Sequence, residues 1–177
     1  MKVSKRILAI SGSLRQGSSN YNILRLFEKL APGNIEYFIY DQLVQIPPFD
    51  PSFDNESAAG AVFELRNLIE KADGIIICTP EYAFGIPGQL KNALDWTVSS
   101  GSFSGKPTAL ITASTGGENA HPALLKVLGA LDADLSESTT LLISFIRSKM
   151  DASGNITDAE TAEKLNAVFE ALLLRIK

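Results

Sequence analysis

The feature that most constrains the fold is a stretch near the start of the chain, Ile7 to Asn20, which reads ILAISGSLRQGSSN. Its apolar run ends abruptly in a loop of glycine and hydroxyl residues, and a helical spacing of apolar residues begins near Ser18 or Ser19. A buried strand, a polar loop and a helix in this order predict the opening of a βα unit.

The chemistry of this first loop suits a phosphate group. Glycine lets the backbone pass close to a ligand, and N–H groups at a helix start form a donor site with positive partial charge. Arg15 adds a fixed charge, and hydroxyl groups are available on Ser11, Ser13, Ser18 and Ser19. The alternative is an ordinary polar loop in which Ser18 or Ser19 only caps the helix. The loop matches neither a Walker A loop nor GxGxxG, which disfavours a nicotinamide dinucleotide at this position.

Composition narrows the class of protein. A length of 177 residues predicts a single domain spanning residues 1–177. A net charge of −4 with no basic block disfavours a nucleic-acid partner, and no apolar stretch approaches membrane-spanning length. The single cysteine, Cys78, and the single histidine argue against a disulfide within the chain and against a metal site. We therefore expect a cytoplasmic protein without a signal peptide.

Strands and helices alternate along the sequence. The predicted strands are 7–10, 34–40, 74–79, 108–113 and 139–143. The predicted helices begin near Ser18 or Ser19, after Ser57 as a cap, and at about residues 89, 121 and 159. Their predicted ends are near residues 30, 71, 98, 131 and 174, and Thr157 or Asp158 caps the last helix. The segment 41–55 holds three prolines and is predicted to be a long loop. Five strands alternating with five helices predict an α/β fold with a doubly wound parallel sheet.

Three loops with unusual chemistry leave the carboxyl ends of predicted strands: 11–20, 80–88 and 114–117. Ligands of doubly wound sheets bind at this edge, so the convergence of the three loops is the main argument for a ligand site. Taken alone, loop 80–88 is equally a proline-stiffened connector, and Ser114-Thr115-Gly116-Gly117 is equally a simple turn.

The sequence offers no nucleophile and base pair. Cys78 lies within a strand of buried type, and His121, at a predicted helix start, is interpreted as a surface or capping group. A chain that binds and orients a ligand but has little chemistry of its own is typical of a protein whose redox cofactor reacts.

Two motifs in the sequence resemble those of a known family. They are SGSLRQGSSN, at 11–20, and TPEYAFGIPGQLKNALDW, at 79–96. The chain resembles, over almost its whole length, the NAD(P)H-dependent FMN reductases of the flavodoxin-like superfamily, which include quinone, chromate and azo-dye reductases. The resemblance implies the strand order 2-1-3-4-5 with helices on both faces of the sheet. It also implies FMN as cofactor, NAD(P)H as co-substrate, and ping-pong hydride transfer through flavin N5 to a quinone or similar small acceptor.

The resemblance places the cofactor-binding residues in the three loops. The phosphate would be held by Ser13, Arg15, Ser18, Ser19 and Asn20, and Ser11 would add a further hydroxyl donor. The flavin ring and ribityl chain would lie along Pro80, Glu81, Tyr82 and Ala83, and the pyrimidine end would meet Ser114, Thr115, Gly116 and Gly117. No side chain is assigned as catalytic.

The resemblance further implies a homodimer or homotetramer, with segment 41–55, Tyr82, Phe84 and Trp96 as candidates for the interface. The helix residues Lys91, Asn92, Asp95 and Trp96 are assigned to packing and subunit contact. One departure stands out, since many family members have Asn where this chain has Ala83, which puts flavin affinity or substrate preference in doubt. The alternative functions are a flavodoxin-like electron carrier and a flavin-binding sensor without turnover.

Overall fold

The computed structural model describes residues 4–55 and 58–176 of the chain. Within them, five parallel strands form a sheet of order β2-β1-β3-β4-β5, which confirms the predicted flavodoxin-like order. The strands are β1 (Lys5–Ser11), β2 (Ile35–Tyr40), β3 (Gly74–Thr79), β4 (Thr108–Ala113) and β5 (Thr140–Ile143). The helices are α1 (Ser19–Leu30), α2 (Gly60–Lys71), α3 (Gly88–Asp95), α4 (Ala120–Ala130) and α5 (Ala159–Arg175).

Apolar cores lie on both faces of the sheet, as a doubly wound fold requires. Helices α1 and α5 pack on one face, where Phe27 and Phe169 stack with ring centroids 4.9 Å apart. Helices α2, α3 and α4 pack on the other face. The central strands β3 and β4 are buried at every position because both of their faces are covered.

The register of the sheet aligns the carboxyl ends of the strands. Ser11 at the end of β1 pairs with Cys78 of β3, and Thr79 pairs with Thr112 of β4. Ala113 at the end of β4 pairs with Ile143 at the end of β5. The three predicted loops therefore leave the same edge of the sheet, together with the connection that follows β5.

Two predicted helix bounds differ from the observed ones by more than one residue. Helix α2 begins at Gly60 with Ala59 as its N-cap residue, and Ser57, the predicted cap, lies outside the described residues. Helix α3 ends at Asp95, three residues before the predicted end at Val98. Beyond this point the N–H groups of Thr97 and Val98 donate to the carbonyls of Leu94 and Asp95, three residues back, over 3.0 and 3.3 Å, so the α-helical hydrogen-bond pattern does not continue.

The proline-rich segment 41–55 is fixed by one face of α3. Gln89 donates to the carbonyl of Ile46 over 2.7 Å, and both Asn92 and Trp96 donate to the carbonyl of Pro47, over 2.8 and 2.9 Å. Apart from short 3-10 turns the segment has no regular structure, as predicted. Trp96 is 2% exposed, so it is a core residue and not the interface aromatic that the resemblance suggested.

In the part of the chain that the structure describes, no helix combines the length and the apolar character needed to cross a membrane.

Candidate cofactor-binding site

A cavity of about 260 Å³ lies at the carboxyl edge of the sheet, where the three loops meet. Its lining includes most of the residues predicted from sequence, together with others that were not predicted. The lining residues are Ser13, Arg15, Ser18, Ser19, Asn20, Pro80, Glu81, Tyr82, Ala113, Ser114, Thr115, Ile146 and Arg147. The predicted residues Ser11, Ala83, Gly116 and Gly117 are absent from this lining.

Ser11 lies beneath the first loop and organises it. Its hydroxyl donates to the carbonyl of Ser13 over 3.1 Å and accepts from the N–H of Ser13 over 3.4 Å. The Ser13 hydroxyl in turn accepts from the N–H of Arg15 over 3.3 Å. At 2% exposure, Ser11 shapes the loop from below, while Ser13 and Arg15 border the cavity.

The close approach of the first loop to β3 requires glycine at position 12. The N–H of Gly12 donates to the carbonyl of Cys78 over 2.8 Å. A Cβ at position 12 would lie 2.2 Å from Thr79 Oγ1 and 2.6 Å from Thr79 Cβ, which no packing tolerates. Gly12 therefore brings the first loop beside the second, so that both border one cavity.

The amino-terminal end of α1 points donors at the cavity. Ser18 is the N-cap residue, and its hydroxyl accepts from the N–H of Tyr21 over 3.2 Å. The N–H groups of Ser19 and Asn20, the first two helical positions, have no intrahelical acceptor. Because the first turn contains no acidic side chain, its positive partial charge is not neutralised locally. This helix end is suited to an anion.

Asn20 and Cys78 form the floor beneath that helix end. The Cys78 thiol donates to Asn20 Oδ1 over 3.4 Å, and Asn20 is 4% exposed. Complete burial raises the pKa of the Cys78 thiol well above its usual range. The thiol is therefore protonated and is neither a nucleophile nor a redox group at neutral pH, which agrees with the buried strand position predicted for it.

The second loop is attached to α4 by the side chain of Glu81. Its Oε2 accepts from the backbone N–H of Ala120 over 2.7 Å and from that of Asn119 over 2.9 Å. The hydrogen bond from Ala120, followed by those from Asn119, lowers the pKa of the Glu81 carboxyl. Glu81 is thus an ionised cap on α4, and its carboxylate links the second loop to the helix that follows the third loop.

A tight turn at the tip of the second loop holds two non-glycine residues in the left-handed region. Tyr82 and Gly85 exchange backbone hydrogen bonds of 3.1 and 3.0 Å across the turn. Between them Ala83 has φ of 48° and Phe84 has φ of 59°. Turns of this kind favour Asn and Gly at the central positions, so the Asn that many family members carry at position 83 matches this backbone better than Ala83 does.

The third loop meets the cavity through Ser114 and Thr115, whereas Gly116 and Gly117 lie just outside it. The carbonyl of Gly117 accepts from the N–H of His121 over 3.0 Å, at the start of α4. A Cβ at position 117 would lie 2.5 Å from Leu142 Cδ1. In the structure Gly117 therefore allows the close packing of the loop against β5.

Sequence reasoning missed three lining residues, Ala113, Ile146 and Arg147. The last two belong to a 3-10 turn, Ile146–Lys149, that follows β5. A signal for them existed, because β5 ends at the same edge as the other strands and its connection carries a cation. Ligands of doubly wound sheets bind at the carboxyl edge, so this fourth connection is a candidate for the site in the same way as the three loops.

His121 belongs to the packing of α4 on β4. Its Nδ1 lies 2.9 Å from Thr112 Oγ1, and burial lowers the pKa of its imidazole. The lowered pKa favours the neutral imidazole. His121 does not line the cavity and therefore lies apart from the predicted site.

Comparisons with known proteins agree with this geometry. The family model described as NADPH-dependent FMN reductase matches residues 5–146. A quinone reductase of Escherichia coli (strain K12) is 32% identical over 187 residues, covering 100% of both chains. An NAD(P)H-dependent FMN reductase of Pseudomonas aeruginosa is 32% identical over 97% of this chain and 95% of its own.

Among solved structures, the flavoenzyme NAD(P)H:(acceptor) oxidoreductase FerB from Paracoccus denitrificans is similar, with a TM-score of 0.77 and 28% identity over 97% of each chain. The family model spans all five strands and the three loops that were singled out from sequence. The chain therefore belongs to the NADPH-dependent FMN reductase family.

Proposed function

We propose that the chain is a single FMN-binding domain, a cytoplasmic oxidoreductase that passes reducing equivalents from NAD(P)H to a quinone or similar small acceptor. The observation that carries the proposal is the meeting of three loops, each with different donor chemistry, around one cavity at the carboxyl edge of the sheet. Family membership and the quinone reductase of Escherichia coli, similar over its full length, support the reaction type.

The donor set of the cavity fits the phosphate of FMN. The first loop contributes the hydroxyl groups of Ser13 and Ser19, the unpaired N–H groups of Ser19 and Asn20, and the guanidinium of Arg15. A phosphate monoester presents several strong acceptor oxygens and a double negative charge, which these donors complement. No carboxylate of the first loop competes with it, since residues 11–20 contain none.

The remaining lining fits a flat heterocycle. Pro80, Glu81 and Tyr82 offer backbone edges along one side, and the Tyr82 side chain is 54% exposed above them. Ser114 and Thr115 are small and leave space on the opposite side. The Ser114 hydroxyl donates weakly to the carbonyl of Glu81 over 3.5 Å, so the two loops keep a defined spacing.

The chemistry that FMN supplies when bound is hydride acceptance from a nicotinamide and two-electron reduction of an acceptor. The residues of the chain orient the reactants, and orientation contributes much of the rate. Backbone N–H donors of the third loop would stabilise, by electrostatic attraction, negative charge on the bound cofactor. Neither Cys78 nor His121 lines the cavity, so no proton transfer is assigned to either of them.

We further propose that the chain self-associates as a homodimer or homotetramer through apolar side chains near the site. Phe84 is 82% exposed at the tip of the second loop, and Phe53 is 57% exposed on the proline-rich segment. Contiguous exposed apolar patches mark contact surfaces between proteins, and these two side chains would contribute to such a patch. Sedimentation should show an oligomer, and a monomer with full activity would contradict this proposal.

The proposed function is tested by the visible absorption spectrum of the FMN-reconstituted protein, before and after anaerobic addition of NADPH. Rapid bleaching of the bound-flavin spectrum, followed by its return when a quinone is added, is the expected result. Bound flavin that stays oxidised with both NADPH and NADH would favour an electron carrier or a sensor. Failure to bind flavin would overturn the proposal.

A further inference from the structure

Two of the six arginines in the chain differ from the other four. Arg6, Arg25, Arg66 and Arg175 form ion pairs with Glu36, Glu28, Asp54 and Asp134 respectively. Arg15 and Arg147 have no carboxylate within ion-pair distance among residues 4–55 and 58–176, although the net charge of the chain is −4. Both line the same cavity at the carboxyl edge of the sheet.

Arg147 reaches this cavity because the connection after β5 is tied to the third loop. The N–H groups of Phe145 and Ile146 donate to the carbonyls of Thr115 and Ser114 over 3.2 and 3.1 Å. Phe145 has φ of 57°, which turns the chain sharply before the 3-10 turn that carries Arg147. The backbone of this cation is therefore placed by the same loop that borders the cavity.

The two arginines also mark a boundary between two cavities. A second, more open cavity of about 460 Å³ lies outside the first, and the residues lining both are Arg15, Ser19 and Arg147. Ser19 contributes its hydroxyl and its unpaired N–H at the start of α1. Two arginines and a helix start, from different elements of the fold, thus border the same position.

The carboxylates near this position already have donors. Asp151, in the lining of the outer cavity, accepts from the N–H groups of Ser153 and Asn155 over 2.9 and 2.8 Å. Glu81, in the lining of the inner cavity, accepts from the start of α4. Neither carboxylate neutralises Arg15 or Arg147, so the two cations are available to an anion.

We propose that Arg147 is the second cation of a phosphate clamp, in which the FMN phosphate is held between Arg15 and Arg147 with Ser19 at its base. This inference rests on the proposed function and adds to it a binding residue from a part of the chain outside both family motifs. Each guanidinium presents a planar fork of donors that matches phosphate oxygens in pairs. A clamp built from two elements binds a dianion more tightly than the first loop does alone.

The test compares FMN with riboflavin, which lacks the phosphate, by calorimetric titration of flavin-free protein. Arg147→Ala should weaken FMN binding at least about tenfold and leave riboflavin binding within about twofold of wild type. Arg15→Ala should behave in the same way, and Arg147→Lys should fall between Arg147→Ala and wild type. Arg6→Ala is the matched control, since it removes an exposed arginine at the opposite end of β1 and should change neither affinity.

Competition by inorganic phosphate provides an independent readout if riboflavin binds too weakly to titrate. Inorganic phosphate should compete with FMN at the wild-type site with a lower inhibition constant than at the site of Arg147→Ala. Unchanged FMN affinity in Arg147→Ala, an equal loss for FMN and riboflavin, or a change confined to the KM for NADPH would each overturn the clamp. Failure of the wild type to bind either flavin would instead overturn the proposed function.

Discussion

The first loop, 11–20, and the second loop, 80–88, border the same cavity but differ in how their backbone conformations are stabilised. In the first loop the one left-handed position is occupied by Gly17, with φ of 63°, and hydroxyl groups satisfy the backbone locally. In the second loop the left-handed positions are occupied by Ala83 and Phe84. The first loop has a conformation that its own residues favour, whereas the second is held in place by its surroundings.

This difference separates two ways of making a binding site. A loop with favourable local geometry presents its donors without strain, which suits a fixed anion. A loop with two non-glycine residues at positive φ stores strain of about 1–2 kcal/mol per residue. It persists because the Glu81 cap and the pairing of Tyr82 with Gly85 over-determine it. Such strain is typical of segments that contact ligands or partners.

The largest expected effect is at Gly12, where the two loops approach each other. Gly12→Ala should lower the free energy of unfolding by about 3 kcal/mol, because its Cβ would overlap the Thr79 side chain. Gly129→Ala is the control, since a Cβ there meets nothing within 4 Å and should stabilise α4 by about 0.5–1 kcal/mol. Chemical denaturation measures both free energies of unfolding. A Gly12→Ala protein as stable as wild type would show that the close approach of the loops does not require glycine at position 12.

Glu81→Gln tests how the second loop is held. Loss of the charge-assisted hydrogen bonds to α4 should cost about 1–2 kcal/mol at pH 7. Because the folded pKa of Glu81 is lowered, its contribution is fully present above the unfolded-chain pKa of about 4.3 and is lost as pH falls through the folded value. The stability difference between wild type and variant should therefore shrink below about pH 4. A difference that is constant with pH would contradict the ionised cap.

Ala83→Asn should relieve part of the strain in the second loop. Asn tolerates the left-handed region better than Ala does, so the free energy of unfolding should rise by about 0.5–1 kcal/mol. Ala83→Val is the matched control and should be destabilised by about 1 kcal/mol, because a β-branched residue suits this region least. Equal stability of the two variants in thermal unfolding would show that the turn is not strained.

The smallest expected effect is at Cys78, under the first loop. Cys78→Ser keeps a donor to Asn20 Oδ1 in a position that does not line the cavity. Turnover with NADPH should therefore stay within about twofold of wild type. An abolished rate in a folded Cys78→Ser protein would assign the thiol a direct part in the reaction.

Sequence reasoning succeeded where local pattern decides the structure. The bounds of β3 and β4 are those predicted, because each is an apolar run with polar or breaker residues at its end. The Ser18 cap and the start of α1 follow equally from local chemistry. In the site, the polar residues of the first loop were predicted for the same reason.

The rest depends on contacts between distant segments. The side chain of Arg66 donates to the carbonyl of Trp96, thirty positions later, directly after the end of α3. Glu81 caps α4, and Arg147 lies beside the cavity. Both positions depend on the packing of connections that have no periodic pattern. The strained turn at Ala83 could not be predicted, because its residues are among those that disfavour that conformation.

The prolines of segment 41–55 and the hydrogen bonds from α3 together determine the entropy cost of ordering this segment. Prolines at 47, 48 and 51 restrict the backbone before folding begins, so the segment has fewer conformations to lose when it is ordered. The side chains of Gln89, Asn92 and Trp96 then satisfy its carbonyl groups without the help of a neighbouring strand. A long irregular connection can therefore be ordered here at a modest cost in conformational entropy.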